Sequence, residues 1–314
     1  MADIALIIGN GFDLDMGIAS RYSDFIKSKE WNEAVSGFNV YLQQKEYQNH
    51  SLIDQLQSAS SSSQWFDIEQ EIHKFIIAHP DNSEREIRDI RNEFNAIKRA
   101  LTKYLKRITA SFKADEQKIA YKLLLALQQS PLSVNEMYFN YTSPHNFLKH
   151  PLYYDIGKCT FTYVHGSLRY DDIVLGCDLQ NDEQVNRQLS FMYKYNMLNK
   201  TNHVARHILE AKEIIFFGHS INEMDFCYFK EFFRVAGASP KPIRHLTIIT
   251  YDDESERSIK DNIRNQGISV SDLYSNLWTF DFIKTSKLYA QNIDENRKMV
   301  ETLNRLLSTD RHGI

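Results

Sequence analysis

The amino-acid sequence predicts an α/β protein in three layers: a parallel, doubly wound sheet between helices, with a mainly helical insertion after the first βα unit. Two observations lead to this prediction. Short apolar runs alternate with helical patterns near the start of the chain and throughout its second half, and such alternation is typical of parallel sheets. The stretch between Gly37 and Gly157 contains no glycine, which favours long helices.

Seven short apolar runs are the candidates for strands. In chain order they are 5–8, 136–139, 159–164, 172–176, 213–217, 245–250 and 277–282. Helical patterns lie between several of them, at 188–211, 225–235, 254–265 and 292–307. This alternation predicts a single α/β domain over 1–314, because no linker divides the chain cleanly.

A helical block is predicted at about 20–130, with helices that pack on one another rather than forming a partner surface. Its clearest helix carries apolar residues at alternating spacings of three and four, which place them on one face. They are Ile87, Ile90, Phe94, Ile97, Leu101, Tyr104 and Ile108. Ser83 and Glu86 predict a capping box at the start of this helix. A second helix, after a serine-rich loop at 58–63, is predicted from Trp65, Ile68, Ile72 and Phe75.

Composition and charge exclude several classes of function. The chain has 314 residues, 42% of them hydrophobic, and a formal net charge of −4, so charge gives no argument for nucleic acid or a membrane surface as partner. No apolar stretch approaches the ~18 residues of a membrane span, and the N-terminus lacks the basic region of a secretion signal. Cys159, Cys177 and Cys227 are too widely spaced for a disulfide framework or a zinc knuckle. We therefore expect a soluble, cytoplasmic protein without a metal, and a homo-oligomer is left open.

Three patterns that resemble catalytic or metal sites are set aside. His203 and His207 are four residues apart but lack the glutamate of a zincin, so a solvated helix face is expected. Asp13 and Asp15 lie at the start of a predicted helix, where acidic residues favour the helix dipole. Ser167 is not in a nucleophile elbow, because the G-x-S-x-G pattern is missing.

Small and polar residues follow five of the predicted strands. They lie at 9–13, 140–142, 165–167, 218–220 and 251–253. In an open α/β sheet, ligands bind beyond the carboxyl ends of the strands. If the sheet is parallel, all five segments share that edge, and the sequence predicts a ligand site there.

The segment ALIIGNGFDLDMG at 5–17 begins this predicted site. A strand, a tight G-x-G turn and a helix present backbone N–H groups to an anion, and glycines without Cβ atoms let a pyrophosphate approach. The third glycine of the dinucleotide fingerprint is displaced, since position 14 is leucine and Gly17 comes later. A plain tight turn, with Asp13 capping the helix, is the alternative.

Six motifs, read together, resemble a known family. They are LIIGNGFDLDMGI (6–18), YSDF (22–25), FDIE (66–69), FNYT (139–142), VHGS (164–167) and FFGHSINEMDF (216–226). In this combination and order the chain resembles the AbiH proteins of phage abortive infection, a branch of the sirtuin-like NAD-binding superfamily. The resemblance spans nearly the whole chain and implies a Rossmann-like (sirtuin-like) parallel sheet with NAD as substrate.

The resemblance also assigns roles to individual residues. Asn140 takes the place of the catalytic asparagine of the superfamily, and His165 takes that of the catalytic histidine. The residues that the resemblance assigns to ligand binding are Gly9, Asn10, Gly11, Phe12, Asp13, Gly218, His219 and Ser220. Tyr251 is added to them because it follows a strand at the predicted edge. Thr142 departs from the pattern, because sirtuin-like proteins often carry aspartate at that position.

Each assignment has an alternative that needs no ligand. Asn140 offers a donor and an acceptor for positioning a water or a ribose hydroxyl, or it ends a strand in an Asx turn. His165 can accept a proton at cellular pH, or it is a structural histidine. Ser220 contacts phosphate or starts a helix in a capping box with Glu223, and Glu69 reaches the cleft or is solvated.

The resemblance implies chemistry on NAD itself. The paired CxxC zinc module of protein deacetylases is absent, so cleavage of NAD with release of nicotinamide is the expected activity. A phage-derived trigger or a partner defence protein is an expected partner. A nucleotide-binding sensor without turnover and an interaction protein that uses its α/β part as a scaffold are the alternatives.

Overall fold

A computed structural model describes residues 2–45, 51–62, 66–143, 158–178, 186–194, 201–238 and 244–308, with backbone alone at 39–45, 62 and 201–202. The chain divides into two compact units. The first comprises Met1–Ile18, Lys113–Val164 and Asn199–Ile314, and the second comprises Ala19–Phe112 and His165–Leu198. The single domain over 1–314 and the insertion at 20–130 stay predictions.

The described residues form six strands, all in the first unit. They are β1 (Ile4–Ile8), β2 (Val134–Tyr138), β3 (Cys159–Tyr163), β4 (Glu213–Phe217), β5 (His245–Thr250) and β6 (Thr279–Lys284). Every pairing between neighbours is parallel, and the order across the sheet is β3-β2-β1-β4-β5-β6. This is the order of the doubly wound Rossmann-like folds, so the predicted α/β class with a parallel sheet is confirmed.

The helices of the described residues are, in chain order, α1 (Asn10–Met16), α2 (Tyr22–Ile26), α3 (Lys29–Lys45), α4 (Leu52–Ser62), α5 (Ile68–Ala78), α6 (Glu84–Ala110), α7 (Ile119–Gln129), α8 (Thr201–Glu210), α9 (Lys230–Ala238), α10 (Asp253–Asn265), α11 (Val270–Asn276), α12 (Thr285–Tyr289) and α13 (Ile293–Leu307). Two 3-10 helices lie at Ser190–Met192 and Glu223–Tyr228. None of these helices is long and apolar enough to cross a membrane.

Both faces of the central strands are buried. Ala5 and Ile7 of β1 lie in one apolar cluster with Ile208 of α8 and Phe233 of α9. Because side chains alternate along a strand, Leu6 faces the opposite side, and it is also fully buried. A strand buried on both faces needs a continuous apolar run, which explains why the runs in the sequence predict the strands.

The central strands end level with one another. Ile8, the last residue of β1, lies beside Tyr138 of β2 and Phe217 of β4. The chain leaves β1 toward one side of the sheet and returns to build β4 on the other, so the order reverses between these two strands. The residues that follow Ile8, Tyr138 and Phe217 therefore emerge side by side at the reversal, where open α/β sheets bind ligands.

Two helix predictions in the second unit are confirmed. The capping box of Ser83 and Glu86 is present at the start of α6, and Ile90, Phe94 and Leu101 on the predicted face of α6 are buried. The second pattern forms α5, in which Ile68, Ile72 and Phe75 are buried. Trp65, which belongs to that pattern, lies outside the described residues.

Two local predictions are wrong. The serine-rich loop at 58–63 is helical as far as Ser62, because α4 continues through it, and the hydroxyls of Ser60 and Ser61 donate to the carbonyl of Gln57. Such bonds to the preceding turn let serine remain in a helix. The run at 172–176 is a loop rather than a strand, and its residues 173–176 are buried. A buried loop can be as apolar as a buried strand, so the apolar run alone did not distinguish the two.

Two predicted helices are divided. The pattern at 225–235 contains the end of the 3-10 helix Glu223–Tyr228 and most of α9. The pattern at 188–211 contains the 3-10 helix Ser190–Met192 and α8, and its middle part at 195–200 lies outside the described residues.

Candidate functional site

The start of α1, directly after β1, contacts the loop that follows β4 backbone to backbone. The N–H of Gly9 donates to the carbonyl of Phe217 at 3.0 Å, and that of Gly11 donates to the carbonyl of Gly218 at 2.8 Å. Gly218 has a φ of +63°, and a Cβ there would lie 2.3 Å from the carbonyl carbon of Gly11 and from the nitrogen of Phe12. A Cβ on Gly9 would lie 2.6 Å from the Gly218 carbonyl oxygen.

This packing corrects the reason for which the glycines were expected. The sequence interpretation made room at Gly9 and Gly11 for a pyrophosphate, but the backbone of Gly218 and His219 fills the space on the Cβ side. The glycines are therefore required by the close approach of the start of α1 and the loop after β4. Their presence is no independent argument for phosphate.

Phe12 belongs to the core rather than to a cleft. Its side chain is fully buried, and its ring makes an edge contact with Phe217 at a centroid distance of 4.9 Å. Asp15 caps another helix, because its carboxylate accepts from the N–H of Ala120 at 2.8 Å and from the Tyr289 hydroxyl at 2.9 Å. Within the described ranges, no group of three or more potential metal ligands is found.

A buried cluster of Asp13, Asn140 and Thr142 lies at the carboxyl ends of β1 and β2. Asn140 Nδ2 donates to Asp13 Oδ1 at 3.0 Å, and the Thr142 hydroxyl lies 2.8 and 2.7 Å from the two carboxylate oxygens. The exposed fractions are 1%, 6% and 1% in the order Asp13, Asn140, Thr142. Because β1 and β2 are in register, the residues after β2 come directly beside the first turns of α1.

The carboxylate determines how the Asn140 amide is oriented. Carboxylate oxygens only accept hydrogen bonds, so the amide turns its Nδ2 group toward Asp13 and its Oδ1 atom away. Among the described residues, Asn140 Oδ1 has no hydrogen-bond partner although it is buried. A buried acceptor without a donor is unfavourable by about 1–3 kcal/mol. Oδ1 is therefore suited to accept a hydrogen bond from a ligand.

His219 shapes the loop after β4. Its ring packs edge-on against Phe139 at 4.6 Å and Phe229 at 5.1 Å. Nδ1 accepts from the N–H of Ile221 at 2.9 Å, and Nε2 lies 3.5 Å from Oδ2 of Asp225. Both ring nitrogens thus face groups of the protein, and a ligand would meet the backbone of His219 rather than its imidazole.

Ser220 does not start the next helix. The cap of the 3-10 helix is Asn222, whose side chain accepts from the N–H of Asp225 at 3.1 Å. The capping box of Ser220 with Glu223, one of the two alternatives expected for Ser220, is therefore wrong, and its contact with phosphate stays a prediction. Ser220 is exposed, and its carbonyl accepts from Asn262 Nδ2 at 3.0 Å.

Tyr251 and Asn10 present exposed side chains at this edge of the sheet. Tyr251 directly follows β5 and is 65% exposed, while its carbonyl accepts from the N–H of Ser286 at 3.0 Å. Asn10 is the first residue of α1 and is exposed. Because β1 and β5 both lie beside β4 and run parallel to it, both residues emerge on the same edge as the loop at 218–220.

His165 belongs to the second unit, whereas Asn140 belongs to the first. The carbonyl of His165 accepts from the N–H of Val174 at 2.8 Å, and its side chain is buried. Gly166 has a φ of +74°, and the N–H of Ser167 donates to Asp172 Oδ1 at 2.8 Å. The HGS segment therefore opens a tight turn that Asp172 holds, and the catalytic role of His165 stays a prediction.

Glu69 is buried rather than solvated, so one of the two alternatives expected for it is wrong, and the other, that it reaches the cleft, stays a prediction. Its carboxylate forms a buried ion pair with Lys194 at 2.7 Å and accepts from the Tyr22 hydroxyl at 3.3 Å. Lys194 is fully buried. The sequence analysis missed this lysine, because the two residues are 125 positions apart and nothing near Lys194 marks it as buried.

The order of the strands defines a doubly wound α/β protein. The buried cluster of Asp13, Asn140 and Thr142 is a polar site at the point where the strand order reverses. A family model described as "Bacteriophage abortive infection AbiH" matches residues 5–240. The chain belongs to the AbiH family, which indicates a role in phage abortive infection. The family resemblance is thereby confirmed, and the wider sirtuin-like placement stays a prediction. Searches of curated proteins and of solved structures found no match.

Proposed function

We propose that this protein is an NAD⁺ glycohydrolase that releases nicotinamide and depletes NAD during phage abortive infection. The observation that carries the proposal is the Asn140 amide. It is buried at the carboxyl edge of the sheet, Asp13 holds its Nδ2 group, and its Oδ1 atom faces away from the carboxylate. An acceptor held in this way can orient a hydroxyl group or a water at a reacting centre.

The chemistry of the bond suits such a site. Nicotinamide is a good leaving group from NAD⁺, so a strong general acid is not required. The protein has to stabilise an oxocarbenium-like centre and to hold the attacking oxygen in line with it. Asn140 Oδ1 would accept a hydrogen bond from that water or from a ribose hydroxyl.

The remainder of the nucleotide is proposed to lie along the same edge. Asn10, Ser220 and Tyr251 present exposed groups there, and the backbone of Gly9–Gly11 and Gly218–Ser220 lines the reversal point of the sheet. Phe12 and the imidazole of His219 are left out of the proposed contacts because both are buried among aromatic rings.

His165 carries a separate proposal, supported by the VHGS motif alone. It would take the proton of the attacking oxygen, a role that typically contributes about 10²–10⁴-fold to the rate. His165→Ala should then lower kcat for nicotinamide release by about 10²-fold, whereas His165→Gln keeps a polar side chain without a basic nitrogen and should be equally slow. Wild-type turnover in both variants would remove His165 from the mechanism.

The deciding experiment measures nicotinamide released from NAD⁺ by the purified protein, with extract from phage-infected cells added as the source of a trigger. Asn140→Ala should lower the rate by about 10²-fold or more while NAD⁺ binding is largely retained. Asn276→Ala is the matched control, because Asn276 Nδ2 donates to the Gly237 carbonyl at 3.0 Å and takes no part in the site. If the protein binds NAD⁺ but releases no nicotinamide, either with or without the extract, it would instead be identified as a nucleotide sensor.

A further inference from the structure

We infer that Asp13 is a positioning residue for Asn140, and that Thr142 in turn holds Asp13, so that neither residue touches the nucleotide. This inference rests on the proposed function for its catalytic consequence. It replaces the sequence-based assignment of Asp13 to direct ligand binding. It also gives Thr142 a role, which the motifs alone did not.

Hydrogen bonds connect Thr142 to Asp13 and Asp13 to the Asn140 amide, and this set of three residues is called the relay. Asp13 Oδ1 receives Asn140 Nδ2 at 3.0 Å and the Thr142 hydroxyl at 2.8 Å, while Oδ2 lies 2.7 Å from the same hydroxyl. The carboxylate accepts on both oxygens and cannot donate, so only one orientation of the Asn140 amide is favourable. Charge-assisted bonds of this kind are about twice as strong as neutral ones.

Asp13 is itself held rigidly. The preceding residue, Phe12, is anchored in the core against Phe217, and the carbonyl of Asp13 accepts from the N–H of Ile18 at 2.8 Å at the end of α1. With only 1% of the residue exposed, Asp13 has no surface to offer to a ligand. Its contribution to a reaction would therefore pass through Asn140.

Exchange of the two side chains tests the relay. Asp13→Asn presents an amide to an amide and removes the preference that keeps Asn140 Oδ1 turned away. Asn140→Asp places two carboxylates together. In the double variant Asp13→Asn/Asn140→Asp, the amide at 13 can donate to the carboxylate at 140, and a second carboxylate oxygen takes the place of Asn140 Oδ1.

The kinetic experiment compares kcat and KM for nicotinamide release in the four proteins of this exchange. Asp13→Asn should lower kcat by about tenfold or more with a smaller change in KM, because the loss is in orientation rather than in binding. The double variant should recover a large part of what Asn140→Asp loses. Thr142→Ser should keep activity, and Thr142→Val should lose part of it.

Asp15→Asn is the matched control. Asp15 lies two residues along the same helix, but its carboxylate contacts Ala120 and Tyr289 instead. Its loss should lower the midpoint of unfolding without changing kcat. Wild-type kcat in Asp13→Asn, or a double variant no faster than Asn140→Asp, would overturn the inference.

A second measurement separates failure of the relay from failure of the proposed function. Urea-unfolding midpoints of the four proteins form a double-mutant cycle that needs no activity. Non-additive midpoints, with the exchanged pair more stable than the two single changes predict, would support the relay even if the wild-type protein released no nicotinamide. Additive midpoints would overturn the relay whatever the activity.

Discussion

Gly218 is a residue whose identity is determined by the first turn of α1. It combines a positive φ with backbone atoms of Gly11 and Phe12 at 2.3 Å from the position of a Cβ. Gly17, at the end of α1, has a φ of +94° but no atom within 4 Å of its Cβ position. At Gly17 only the positive φ requires glycine, whereas at Gly218 the lack of space for a Cβ requires it as well.

Alanine at the two positions should therefore differ in effect. Gly17→Ala should cost about 1 kcal/mol through the unfavourable φ alone, whereas Gly218→Ala should cost about 2 kcal/mol more, because overpacking is added. Urea unfolding followed by circular dichroism measures both values. Equal losses would mean that the loop at Gly218 moves away from α1 without penalty. By the same reasoning, Gly9→Val is expected to impair folding rather than ligand binding alone.

At the scale of helices, Glu93 of α6 serves as the cap of α4. Its Oε1 accepts from the N–H of Ile53 at 2.6 Å, at the start of α4, where backbone donors have no partner within the helix. Burial raises the pKa of Glu93 from its ordinary 4.5 to about 7, and the hydrogen bonds from the backbone of Ile53 and Leu52 only partly offset that effect. The folded state thus favours the protonated carboxyl.

The titration of Glu93 is expected to lower the stability of the folded protein as the pH rises. Between about pH 4.5 and 7 the folded protein holds a proton on Glu93 that the unfolded chain has released. The free energy of unfolding should therefore decrease, by up to about 1.4 kcal/mol per pH unit. The contribution is complete below pH 4.5 and is lost as the pH rises through 7.

Glu93→Gln should remove the contribution of Glu93 to this dependence, because glutamine keeps the acceptor and does not titrate. Urea unfolding at pH 5, 6, 7 and 8 would show a flatter profile for Glu93→Gln than for the wild type. Glu84→Gln is the control, since Glu84 is exposed on the first turn of the same helix. Identical slopes in the wild type and Glu93→Gln would exclude Glu93 as the source.

At the largest scale, the candidate site and a buried ion pair lie at opposite ends of the sheet of the first unit. At the amino ends of the strands, Arg305 of α13 forms a bidentate pair with Glu213 of β4, with both N–O distances at 3.0 Å. It also donates to Thr247 of β5 at 3.3 Å. These bonds tie one helix to two strands at the end opposite the candidate site.

Arg305→Met should lower the free energy of unfolding by about 3–5 kcal/mol, because Glu213 is then buried without its partner. Arg305→Met with Glu213→Gln should recover part of that loss. In the folded fraction, kcat for nicotinamide release should be unchanged in both proteins. A fall in kcat larger than the loss of folded protein would contradict the separation of the two ends.

The sequence-based predictions succeeded where the pattern lay within one helix or strand, and they missed contacts between residues far apart in the chain. The strands were found because burial on both faces requires an apolar run, and α6 was found because Ser83, Glu86 and the apolar spacing all lie within one helix. The run at 172–176 was misassigned because a buried loop is equally apolar. In the candidate site, Asn140 and Asp13 were selected individually, but their contact across 127 positions was not.

By itself, the sequence determined the α/β class, the long helices, the family and the polar residues that end the strands. These properties depend on residues near one another in the chain, where periodicity and capping act. The tertiary structure alone decided that Asp13 holds Asn140, that Gly218 fills the space beside Gly9 and Gly11, and that Glu69 pairs with Lys194. Such contacts depend on which strands become neighbours, and that order minimises the free energy of the whole chain rather than of any segment.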